Sequence, residues 1–184
     1  AAMAAVAGLP VHHSVVLKKI VGITMPVAKQ YSPSEIKGLS EAKITPAIDP
    51  ALISGESLHF ADGRLFDADD KYIDLVRTLD QIEFMLRAGL IGLIGDARIT
   101  KPGMTLLKTQ LDGILGPLKR QAVIDDYAVE IPVLDVLSLP AAARNTTDDA
   151  IVTKARNERT VDLVVTVFYG PAVSRLLVTL VAKF

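Results

Sequence analysis

The clearest periodicity lies near the middle of the chain. In "KYIDLVRTLDQIEFMLRAGL", Tyr72, Leu75, Val76, Leu79, Ile82, Leu86 and Leu90 recur at helical spacing, and Asp74, Arg77, Asp80, Gln81 and Arg87 fall largely off that stripe. The spacing predicts an amphipathic helix. Asp67, Asp69 and Asp70 would supply capping oxygens and negative charge at its positive end. A second helix is expected over residues 101–123, with Met104, Leu107, Leu111, Ile114, Leu115 and Leu118 on its apolar stripe. Gly116-Pro117 should kink or divide it, because proline removes a donor and clashes with the preceding turn.

Around these helices the pattern shortens. Residues 1–7 read as the end of an apolar helix halted by Gly8 and Pro10. Residues 14–27 read as a short strand or extended connection, and residues 31–45 as one or two helical turns with Ser34 as N-cap. Residues 51–67 hold two strand-like pieces joined at Asp62-Gly63, a hairpin signal. "YAVEIPV" (residues 127–133) reads as a strand, and "AAARNTTDDAIVTKARNE" as a polar loop. Two strands separated by Gly170-Pro171 close the chain. In the last of them, "SRLLVTLVAKF", Leu176, Val178, Leu180, Ala182 and Phe184 alternate with Arg175, Leu177, Thr179, Val181 and Lys183, so one face is wholly apolar. The expected fold is therefore α+β: a mixed or antiparallel sheet packed with two main helices, with an extended C-terminal strand arm.

Composition narrows the function. The 184 residues fit one domain, or one with an extension. Half of them are hydrophobic, only 5% are aromatic and none is Trp, so the core must be aliphatic. The net charge of -1 gives no global field for nucleic acid or an anionic membrane. Zero cysteines exclude disulfides, thiolate metal sites and cysteine nucleophiles, and suit assembly in a reducing cytosol. The start "AAMAAVAGLP" has no basic region of a signal peptide, and the expectation is that a longer protein precedes it. The apolar run at residues 88–95 is far short of the ~20 residues of a spanning helix.

Candidate chemistry is sparse. His12 and His13 are adjacent, not a chelating i, i+4 pair, and join His59 in no metal motif. "GLIGLIGD" lacks the G-x-G-x-x-G spacing and follows a helix, so it reads as a helix end packed closely on a neighbour. Asp67 to Asp70 lack the alternating ligands of a calcium loop. Lys119-Arg120 and the group Lys154, Arg156 and Arg159 read as solvated faces, with a docking surface as the sharper alternative. No catalytic residue, metal ligand or cofactor site emerges, and the chain reads as a non-enzymatic assembly component. A small α+β enzyme or ligand-binding domain, with His59, Asp62 and Arg64 as its polar cluster, is the competing reading.

One run points to a family. "YIDLVRTLDQIE" resembles the Y-I-[ND]-[VL]-x-R-x-[LF]-[DE]-x-I-E run in the C-terminal half of contractile tail sheath proteins. These form the outer tubes of myovirus tails, R-type bacteriocins and related contractile injection systems. "LSEAKITPAI", "GESLHFADGRLF", "LDGILGPLKRQAVIDDYAVEI" and "VDLVVTVFYGPAVSRLLVTLV" resemble further family segments in the same order. The resemblance covers nearly the whole chain. It departs where Val173-Ser174-Arg175 follows Pro171-Ala172 instead of an acidic-aromatic pair, and in lacking most of the aromatic residues of the family's G-x-R-T region.

The resemblance implies a structural subunit that polymerises as a helical tube around an inner tail tube and drives contraction for injection. It implies residues 1–171 as a sheath C-terminal core domain and residues 172–184 as a strand arm, with Arg175, Leu176, Val178, Leu180, Ala182 and Phe184 linking subunits. Lys108, Lys119 and Arg120 become candidate inner-tube contacts, and Tyr72, Arg77, Ile82 and Glu83 mark the core helix. Implied partners are neighbouring copies, the inner tail tube protein, and baseplate and tail terminator proteins, with no nucleic acid, membrane or cofactor. Assembly would occur in the bacterial cytoplasm, and the product would be a virion tail or extracellular particle. A tail terminator or baseplate part is the nearest structural alternative.

Overall fold

A computed structural model describes every residue except 27–28, 51–52, 54–56, 67–70 and 175–184. Among the described residues there are six α-helices and two small antiparallel sheets, an α+β fold. The chain forms two compact units, one of Ala1–Leu79 with Pro171–Phe184 and one of Asp80–Gly170.

In the first unit, α1 (Ala2–Ala7) ends at Gly8. Strands β1 (Lys19–Ile20), β2 (Ala47–Ile48) and β3 (Leu58–Phe60) form a sheet in the order β1-β3-β2. The short β3 is central and buried throughout, and its Leu58 and Phe60 join Val15 and Ile20 in an apolar cluster. The hairpin expected at Asp62-Gly63 does not form. β3 pairs instead with strands before it, Lys19 opposite His59 and Ala47 opposite Phe60. Asp62 turns the chain by accepting the Gly63 amide at 2.7 Å, and Arg64 then bridges to Tyr72.

Helix α2 (Pro33–Glu41) starts two residues earlier than expected. Its N-cap is Ser32, not Ser34. Ser32 accepts from the Glu35 amide while Glu35 accepts from the Ser32 amide, and Pro33 sits where a missing N–H costs nothing.

Helix α3 (Ile73–Leu90) carries the chain from the first unit into the second. The capping carboxylates expected at Asp67, Asp69 and Asp70 lie outside the described residues. Its buried line corrects the expected stripe. Asp74, Thr78 and Ile82 are buried at i, i+4 spacing, with Thr78 only 1% exposed, whereas Leu79 is 44% exposed. Thr78 is accommodated because its hydroxyl donates to the Asp74 carbonyl at 2.7 Å.

The second unit is larger in its elements. A 3-10 turn, Ile91–Leu93, follows α3, and α4 (Lys101–Arg120) begins at the Thr100 cap. Met104, Leu107, Leu111 and Leu115 are its buried face, as the stripe required. Pro117 does not divide the helix, which runs unbroken from Lys101 to Arg120. Strand β4 (Asp126–Glu130) ends sooner than expected, because Pro132 occupies the first turn of α5 (Pro132–Ser138).

The stretch expected as a polar loop contains α6 (Thr146–Glu158). Asn145 accepts from the amides of Thr147 and Asp148 while Asp148 accepts from Asn145, a complete capping box. β5 (Val164–Phe168) pairs with β4 in register from Asp126 opposite Phe168 to Glu130 opposite Val164. Helices α4, α5 and α6 enclose a core of Met104, Leu107, Leu111, Ile131, Val133, Val136, Leu137, Val152 and Ala155. Ile82, Leu115, Val123 and Ile124 form a second cluster. The core is aliphatic, as the composition demanded.

Candidate functional site

The polar groups of the first unit serve the chain rather than a pocket. His59, on central β3, donates from Nδ1 to the Ser57 carbonyl at 3.1 Å. Asp62 holds its own turn and lies 3.6 Å from Arg64, whose Nε also donates to the Tyr72 hydroxyl at 3.3 Å. Asp62 and Arg64 are thereby joined, while His59 is satisfied by its own loop. His12 and His13 stack edge to face, 4.6 Å between ring centres. Burial, then the neighbouring His13, holds the His12 pKa below its ordinary value, favouring the neutral ring. Among the described residues no group of three His, Cys, Asp or Glu is placed to hold a metal. No helix among them is long and apolar enough to cross a membrane.

The core-helix residues divide by role. Tyr72 precedes α3 and anchors Arg64. Arg77 donates to the Leu9 carbonyl at 2.9 Å, tying α3 to the end of the N-terminal segment. Ile82 is buried, and exposed Glu83 pairs with Arg87 one turn on.

The three basic residues expected on a tube-facing surface also differ. Lys108 is exposed on α4. Lys119 is engaged within the chain, its Nζ 2.7 Å from Asp126. That bond, with the Tyr127 amide, holds the Asp126 carboxyl below its usual range. Exposed Arg120 carries a guanidinium that folds back toward Gly116, so a Cβ there would meet Nη1 at 3.4 Å. The strand-arm residues Arg175, Leu176, Val178, Leu180, Ala182 and Phe184 lie outside the described residues.

Two surfaces remain that sequence reasoning did not assemble. The first is the β4–β5 sheet, which has only two strands among the described residues. Val165 and Val167 pack inward, while Val164 and Phe168 stay about half exposed on the other face. An isolated two-stranded sheet is marginal in water, and its outer edges offer unpaired main-chain groups. The second is a cavity of about 600 Å³ with Leu90, Leu93, Ile94, Ile99, Met104, Leu107, Val161 and Leu163 on its walls and Arg98 and Arg159 among its lining.

The "GLIGLIGD" glycines prepare the approach to this cavity unequally. A Cβ on Gly89 would meet Ile114 Cδ1 at 2.6 Å, so the two helices pack closely there and a larger residue would force the Ile114 side chain to shift. Gly95 has φ +91 and turns the chain, whereas nothing lies near Gly92.

No protein-family model matches the chain, and no curated protein sequence matches it. Solved structures do share its fold. One is from the "anti-feeding prophage (AFP) baseplate, 6-fold symmetrised", at TM-score 0.70 and 14% identity, covering 98% of this chain and 48% of that one. Another is from the AFP "helical sheath in contracted state", at TM-score 0.67 and 15% identity, with the same coverage. The chain thus spans about half the length of the solved chains it matches, and it has the fold of parts of a contractile particle.

Proposed function

We propose that the chain is a structural subunit of a contractile tail sheath, equivalent to its C-terminal portion, and that it has no enzymatic role. The observation that supports this reading is the shared fold over 98% of the chain with a part of a contracted helical sheath. The colinear resemblance through "YIDLVRTLDQIE" supports it independently. Residues 1–171 are the core and residues 172–184 the linking arm. The arm adds as a strand to the β4–β5 sheet of a neighbouring copy. Main-chain hydrogen bonds supply affinity and the alternating apolar face supplies register. Burial of Leu176, Val178, Leu180 and Phe184 contributes roughly 1.5–3 kcal/mol each. Contacts to an inner tube, through Lys108 and Arg120, are exposed and worth roughly 0–1 kcal/mol each, so they can release during contraction.

Deleting residues 174–184 is expected to abolish tubes in negative-stain electron microscopy while the circular dichroism spectrum stays folded. Normal tubes from the deleted chain would remove the arm from the proposal. A second reading, a baseplate part, is favoured by the higher TM-score of the baseplate match. Closed rings of fixed stoichiometry in the same micrographs, in place of helical tubes, would select it.

A further inference from the structure

The cavity of the second unit is an apolar groove with a basic rim. Leu93, Ile94, Ile99 and Leu163 are among its walls, Arg98 and Arg159 lie on it, and no carboxylate lines it. Neither arginine makes an ion pair among the described residues. Glu158 and Asp162 flank Arg159 in the chain but are not part of the lining.

Arg159 is held there at a cost. It ends α6 in the left-handed region, φ 53, a place that favours glycine. Ile94, also on the lining, is 80% exposed.

The same unit displays a complementary knob. Phe84 on α3 is 67% exposed, and Asp80 lies one turn before it on the same face. Glu83 is already paired with Arg87, but Asp80 has no ion pair among the described residues. Phe84 cannot fill the groove of its own chain. The groove is lined by Leu90 of the same helix, and the two residues point about 120° apart around its axis.

We propose that Phe84 of one copy inserts into the Arg98–Arg159 groove of a second copy, with Asp80 meeting the arginine rim. The contact joins two different surfaces, so it is heterologous and repeats from copy to copy into a helix or ring. It rests on the reading of the chain as a self-assembling subunit, but it uses no residue of the strand arm.

The absence of cysteine makes the test clean. Two full-length chains with different tags that both keep Phe84 and Ile94, one Gln81→Cys beside Phe84 and one Gly92→Cys beside the groove, are mixed under assembly conditions and treated with a short bismaleimide. The mixed cross-link is expected at least tenfold faster than with a Thr147→Cys control, which is exposed at the start of α6. Adding Asp80→Arg to the first chain should slow it severalfold, and Arg159→Asp in the second should restore it. Tubes or rings that form with no cross-linking above the control overturn this contact and leave the subunit reading standing. Chains that stay monomeric in sedimentation and do not cross-link overturn both. Cross-linking that ignores the charge exchange overturns the role given to Asp80 and Arg159.

Discussion

The two compact units solve one packing problem with different materials. Asp80–Gly170 uses long elements, and its buried clusters are aliphatic chains and a methionine. The unit of Ala1–Leu79 uses strands of two or three residues, and its interior admits His59, Asp62, Asp74 and Thr78 beside a small apolar cluster. An aliphatic core responds to lost volume. A polar interior responds to a lost hydrogen bond or a changed charge, because each buried polar group needs a partner. The first unit is therefore the one whose stability should be sensitive to single donors, and through the lowered pKa of His12 it should also respond to pH.

The largest expected effect lies in the aliphatic unit. Leu111 is fully buried, and Leu111→Ala should cost about 3 kcal/mol in urea denaturation, the transfer term plus the unfilled cavity. Thr78→Val in the first unit keeps the shape and removes one donor, so about 1 kcal/mol is expected. Equal losses from the two substitutions would break the comparison.

The smallest effect sharpens it. The His12 pKa is lowered in the folded chain, so below the ordinary value of 6.5 the unfolded chain binds more protons. Stability should therefore fall as pH drops through that value, and His12→Gln should flatten the fall in a series of melting midpoints. A parent midpoint that is level across this range would remove the pH sensitivity assigned to the first unit.

How much was legible depended on how local each signal was. Helix α4 was readable because Met104, Leu107, Leu111 and Leu115 carry enough apolar surface to declare their face. Helix α6 was missed because only Val152 and Ala155 are buried in a largely polar segment. Its signal was present all the same, in the spacing of Asn145 and Asp148 that closes the capping box. The Asp62-Gly63 hairpin was misread because a turn signal names a bend but not the strands that pair. Here β3 found partners well before it in the chain.

The candidate surfaces follow the same division. Lys108, Lys119 and Arg120 were visible as basic residues, but only the structure paired Lys119 with Asp126. Arg159 was visible in a small basic cluster, but that it shares the lining of an apolar cavity with Arg98 was not.

Composition and periodicity alone established an aliphatic core and the existence of α3 and α4, and they set out the alternation of apolar positions over residues 174–184 on which the proposed arm rests. Tertiary structure decided which strands pair, that Asp74 and Thr78 turn inward while Leu79 turns out, and that Arg98 and Arg159 share one cavity. The physical reason is range. Periodicity records how side chains are arranged around their own element. The choice of neighbour is made by packing and hydrogen bonds between residues far apart in the chain, such as the Leu17 amide on the Phe60 carbonyl.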